Sequence, residues 1–263
     1  IEQKKDFITS GNARLVKRTY SRENIPSFRY EPFMSSVKDN LLKVIFILIP
    51  QASFTTDLMT PKVRWTVFGT TFLKSPFIEG QIKKNLKGAE PIVDSAKKIK
   101  LLSERIRYVY EQVQKHIPEA GEQTAFPEDM TDAWEQKHGS TAETNLALLN
   151  LLRKSGVDAH PLLVSTRENG RINTEFPSPG QLNGLNVLAQ DSTEFFVMDA
   201  SLKYQSPFIP PFNILNRQAL LLKEKDVEWV TITDNRPLLK NQVNITGLFT
   251  DSGYIQGSAY NIF

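Results

Sequence analysis

The 263-residue chain contains no cysteine. That absence excludes a thiol nucleophile, a disulfide and any cysteine-bound metal, while leaving the compartment open. Histidine is almost as scarce, with three in all: His116, His138 and His160. None of them stands at ligand spacing from a carboxylate or another imidazole, so no metal site is expected. No glycine-rich phosphate loop is present either, and no cofactor is expected: Gly139 and Gly156 belong to a helix start and a helix stop. An excess of one charge is missing too. Lysine and arginine number 32 against 29 acidic residues, a formal net charge of +3, and they are spread along the chain. That gives no footprint for nucleic acid. Long apolar runs are absent as well. The longest, Leu41–Ile49, is interrupted by Lys43 and ends at Pro50, far short of the roughly 20 residues that span a bilayer. It reads as a buried strand.

What is present divides into three zones. Residues 1–70 carry an extended, proline-marked stretch, "YSRENIPSFRYEPFM", followed by "LLKVIFILIP" and "VRWTVFG". Both of the latter are rich in β-branched and aromatic residues, and strands are expected. In residues 71–224, Ile99, Leu102, Ile106, Val109, Tyr110 and Val113 recur at steps of three and four. The spacing predicts one amphipathic helix from about Asp94 or Ser95 to just before Pro118. His116 would close it, where a cation suits the helix dipole.

A second helix follows Gly139. Ser140 with Glu143 matches a capping box, and the leucines after it leave almost no polar face, so this helix should be central and buried. Ser155-Gly156 should end it. Strands are expected at "HPLLVST", "LNVLAQ" and "EFFVMDAS", with "TRENGRINTEFPSPGQ" as a loop. Helices first and an antiparallel sheet afterwards make an α+β architecture. In residues 225–263, "VNITGLFT" and "YIQGSAYNIF" flank Asp251-Ser252-Gly253, a hairpin signature.

Trp134, the glycine-led turn into the buried helix, "LLRKSGVDAHPLLVSTR", "LNGLNV" and "FFVMDAS" together resemble the transglutaminase-like superfamily, which has the papain-like fold. The likeness is to its bacterial multidomain branch, and "STRENG" and "IPPFNILN" share that branch's detail. The resemblance implies a transglutaminase-like core over residues 71–224, with the end of an N-terminal β-domain, or linking strands, at 1–70 and the start of a C-terminal β-domain at 225–263. It also implies an extracytoplasmic setting, periplasmic or secreted. Active members carry cysteine, histidine and aspartate at three positions, which fall here on Thr141, Gly184 and Asp199. Two of the three are thereby lost. A threonine hydroxyl is a weak nucleophile that needs an adjacent base, and glycine cannot be one.

The expectation is therefore no catalytic residue, and a scaffold or binding module for a peptide or glycan. Trp134, His138, Ser140, Thr141 and Asp199 are its candidate cleft residues. Each has a plainer structural reading: Trp134 as core, Ser140 as a helix cap, Asp199 as an acceptor for backbone donors. His160 reads as an edge residue, and Arg167 and Arg171 as solvated loop cations rather than an anion grip. The alternative is a hydrolase or acyl transferase using Ser140 or Thr141. It requires a base, His138 being the nearest in sequence, within about 3 Å of a hydroxyl.

Overall fold

A computed structural model describes residues 2–10, 13–32, 34–43, 59–190, 195–234 and 242–262. Its first elements are an antiparallel hairpin, β1 (Glu2–Ser10) and β2 (Ala13–Ser21), and a single helical turn, α1 (Val37–Asn40). Six further helices follow among the described residues: α2 (Pro61–Leu73), α3 (Glu79–Ile82), α4 (Glu90–Lys98), α5 (Leu102–His116), α6 (Met130–Gln136) and α7 (Thr141–Lys154). The sheet strands come next: β3 (Ala159–Val164), β4 (Gly184–Gln190), β5 (Phe195–Met198), β6 (Gln218–Leu222) and β7 (Val227–Thr231). They form one antiparallel sheet in the order β5-β4-β3-β6-β7. A last hairpin pairs β8 (Gln242–Phe249) with β9 (Ile255–Ile262). The fold is α+β, as expected.

The core lies between the sheet and α7. Residues 141–152 of α7 are all buried. Its leucines pack with Leu163, Leu185, Val187, Leu220 and Leu222 of the sheet and with Ile106, Val109 and Val113 of α5. Each buried leucine contributes roughly 1.5–3 kcal/mol, so tertiary burial rather than an amphipathic stripe places this helix. The opposite sheet face is also buried, through Leu162, Val164, Leu188, Ala219 and Leu221. Two covered faces explain why "HPLLV" and "QALLL" are nearly continuous apolar runs instead of alternating ones.

Two expectations are corrected, and a third falls mostly outside the described residues. "VRWTVFG" is not a strand but most of α2. Thr60 caps the helix by accepting from the Val63 N–H at 3.4 Å, and Pro61 fits its first turn. Trp65 and Gly69, four residues apart, turn inward, and that packing overrides β-propensity. The helix expected from Asp94 or Ser95 is two helices, starting earlier at Glu90 and broken at Ile99–Leu101. The apolar period carries across the break because Arg105 donates Nε and Nη2 to the Ile99 carbonyl, at 3.0 and 2.7 Å, satisfying the acceptor the interruption freed. The strand expected at Leu41–Ile49 lies outside the described residues apart from Leu41–Lys43, which are not strand.

The antiparallel sheet runs on to Thr231, past residue 224. Around Asp251-Ser252-Gly253 the final hairpin turns as anticipated, with Gly253 at φ +81°. Val243, Ile245, Phe249 and Ile255 share one face of that hairpin and are exposed.

Helix α2 seats its backbone directly on the sheet at Gly69. A Cβ there would run into Val227 Cγ1 and stand 2.9 Å from Leu222 Cδ2. Gly69→Ala should lower unfolding free energy by about 1–3 kcal/mol through overpacking. Gly80→Ala, where a Cβ meets nothing within 4 Å, should be neutral or slightly stabilising. Urea denaturation of the two variants checks the contrast.

Candidate functional site

The start of α7 is the focus because three sequence signals converge on it. Ser140 accepts from the Glu143 N–H at 3.3 Å, and Glu143 Oε2 accepts from the Ser140 N–H at 2.7 Å, completing the capping box. Glu143 does more than cap. Its other oxygen accepts the N–H groups of Glu128 and Asp129, at 2.9 and 3.0 Å, and so fixes the entry to α6.

Thr141 is not presented to solvent. A segment at residues 120–124 lies along the helix start: Gly121 N–H donates to Gly139 O at 2.7 Å, and Thr141 N–H donates to Glu122 O at 3.0 Å. The Thr141 hydroxyl then bonds Thr124 twice, accepting from its N–H at 3.1 Å and donating to its carbonyl at 3.2 Å. With 6% of its surface exposed, Thr141 is a cross-link to this segment.

Gly184 is equally enclosed. A Cβ built there would lie 2.6 Å from Val164 Cγ2 and 3.0 Å from Gln123 Nε2. Gln123 belongs to the same covering segment and donates to Asn183 O at 2.8 Å. Sequence reasoning missed Gln123, and no motif would have flagged it.

Asp199 is 2% exposed and faces α7 through Asn145, whose Nδ2 donates to Asp199 Oδ1 at 2.8 Å. Ser201 donates its N–H at 3.0 Å and its hydroxyl to the same oxygen. Asn145 Oδ1 in turn accepts the Ala200 N–H at 2.8 Å. From α5, Tyr110 donates its hydroxyl to the Asp199 carbonyl at 2.7 Å. Desolvation raises the Asp199 pKa, against the pull of the Ser201 and Asn145 hydrogen bonds. Desolvation, helped by the Asp199 charge, also pushes Tyr110 far up.

The remaining candidates separate by position. Trp134 is 1% exposed and donates Nε1 to Lys87 O at 3.0 Å; it is core. His116 stacks on it at 3.7 Å between ring centroids and bonds its carbonyl. His138 is exposed. Among the described residues, neither the Ser140 nor the Thr141 hydroxyl bonds an imidazole or a lysine amine. His160 is partly buried 3.0 Å from Asp158, its pKa lowered mainly by desolvation. Arg167 packs over Phe212, and Arg171 meets Asp39, which also pairs with the buried Arg217 at 2.9 Å.

An open cleft of about 450 Å³ does lie beside the helix start, reached by Ser140 and His138 but not by Trp134, Thr141 or Asp199. Its lining is acidic, with Glu122, Glu128 and Asp132 exposed and Asp129 held by Lys84 at 3.0 Å. Among the described residues, no group of three or more His, Asp or Glu side chains could hold a metal ion, and no helix is long and apolar enough to cross a membrane.

No family model matches the chain, and no curated protein matches it. Among solved structures it is similar to the crystal structure of a candidate protease from Parabacteroides distasonis, at 12% identity and a TM-score of 0.43. The likeness covers 63% of this chain and 31% of that one. A likeness so slight carries no argument about chemistry.

The buried carboxyl gives a signed expectation. Asp199 binds its proton more tightly folded than unfolded, so it disfavours folding once pH exceeds the ordinary carboxylate range of about 4. Asp199→Asn keeps an acceptor for Asn145 and Ser201 without the charge. It should match or exceed the parent at pH 7, and the gap should close as pH falls below that range. Asp199→Ala, which strands those donors, should lose about 1–3 kcal/mol at both ends. Denaturant titrations from pH 3.5 to 7 separate the three.

Proposed function

We propose that this chain is a non-catalytic transglutaminase-like protein, working as a scaffold and binding module whose ligand is a peptide held in the cleft beside α7. The support is one observation: the residue at the position of the family's nucleophile spends its hydroxyl on both backbone groups of Thr124. A nucleophile needs a lone pair facing substrate and a base to take its proton; the Thr141 hydroxyl is turned onto Thr124 and does not line the open cleft, and among the described residues it bonds no base. Gln123 crowds the space where an imidazole would begin. By the same resemblance, the protein would work outside the cytoplasm.

The acidic lining of the cleft favours a basic peptide. Such recognition is mostly electrostatic, so it weakens with salt as screening shortens to about 8 Å at physiological strength.

Two measurements test the reading. A fluorophosphonate probe should leave intact mass unchanged. An adduct on Ser140 or Thr141 would overturn the loss of catalysis. For binding, an oligolysine peptide should titrate the cleft and an oligoglutamate peptide should not. Glu122→Lys with Asp132→Lys should weaken oligolysine binding at least tenfold at low salt. An unchanged affinity would remove the cleft from the proposal.

A further inference from the structure

A second, smaller cleft of about 280 Å³ opens on another part of the surface, between the C-terminal half of α5 and the turn after β5. Glu111, Gln114 and Lys115 line it from the helix, Ser201, Lys203 and Tyr204 from the turn. Tyr204 is 90% exposed and sits at φ +64°. A bulky residue in the left-handed region is a genuine outlier and costs on the order of 1–3 kcal/mol. Among the described residues, the other non-glycine residues with positive φ are two asparagines and Lys137, which ends α6; asparagine adopts this conformation more readily than tyrosine.

Packing does not explain the conformation, because the ring is almost wholly in solvent. Among the described residues, no other ring stacks on it, and the Lys203 ammonium lies 5.4 Å from its centroid. Yet the turn that carries it is held rigidly. Gln114 donates to Leu202 O at 2.7 Å and Tyr110 to Asp199 O at 2.7 Å, so two side chains one helical turn apart clamp the backbone from α5. Asn145 grips Asp199 and Ala200 from α7. Leu202 N–H bonds Asp199 O, and Gln205 N–H bonds Leu202 O. A buried carboxylate and a strained tyrosine are thus maintained in one short turn whose product is a displayed aromatic ring.

We propose that this cleft is an oligosaccharide-binding site in which Tyr204 is the stacking platform. A phenol ring offers an apolar face to the C–H face of a sugar and a hydroxyl to its edge. Glu111, Gln114, Lys115, Lys203 and Ser201 supply donors and acceptors of both kinds around that ring, with no dominant charge, which suits neutral hydroxylated rings. The volume lies just below the roughly 300–1,000 Å³ of pockets that enclose drug-sized ligands, so one or two sugar rings fill it. The site is separate from the acidic cleft and stands whether or not that cleft binds peptide.

The experiment is calorimetric titration of the protein with neutral hexaoses: cellohexaose, maltohexaose, xylohexaose and chitohexaose. At least one should bind with a Kd of millimolar or tighter. Tyr204→Phe should keep most of that affinity, and Tyr204→Ala should weaken it at least tenfold. Tyr204→Gly suits the left-handed backbone, should melt at or above the parent temperature, and must lose binding as well. Silence from all four sugars, or equal binding by the glycine variant, overturns the proposal. Glu122→Lys with Asp132→Lys should leave sugar binding unchanged, which keeps this result distinct from that of the acidic cleft.

Discussion

Helix α7 is buried along residues 141–152, and a buried helix imposes a rule on its own polar side chains: they must find partners inside the protein. Thr141 finds Thr124, Glu143 finds the N–H groups that open α6, Asn145 finds Asp199 and Ala200, and Asn150 donates to the carbonyls of Ile82 and Lys84. These partners come from three regions: the α5–α6 connection, the turn after β5, and the end of α3 with the residues after it. The helix therefore positions loops as well as core, and these four side chains act as fixed brackets.

That rule decides the chemistry of the helix start. A hydroxyl can serve as a bracket or as a nucleophile, and at Thr141 both of its hydrogen-bonding directions are taken by one residue. Deprotonating it would cost the bond it donates to the Thr124 carbonyl before any reaction begins. Ser140 is committed as an acceptor, since its oxygen satisfies a free N–H of the first turn. The helix dipole favours negative charge at this end, and Glu143 already supplies it.

Much of this was legible because it is local. The capping box at Ser140–Glu143, the Ser155-Gly156 stop and the Asp251-Ser252-Gly253 turn are each set within a few residues, so their residue types suffice. The three strands after α7 were legible from their composition. "VRWTVFG" was misread because its inward face is defined by Leu222 and Val227, more than 150 residues away, and nothing nearby signals them. The break at Ile99–Leu101 escaped notice because an apolar period survives a kink when a side chain such as Arg105 replaces the lost bonds. Gln123 closes the site from a stretch with no periodicity, where sequence carries the least information.

Asp199 is a buried acid whose carboxylate orients a turn, accepting from Asn145 and Ser201. Orienting an imidazole would make the same physical demand, a buried acceptor fixed against donors from neighbouring elements. Burying the charge is unfavourable, as the raised pKa records, and the network around Asn145 and Ser201 offsets the burial only if the backbone at 199–201 is held in one conformation. Rigidity of the following turn is then a consequence of how the acid is satisfied. A residue displayed from that turn inherits it, and a left-handed tyrosine can persist there without packing of its own.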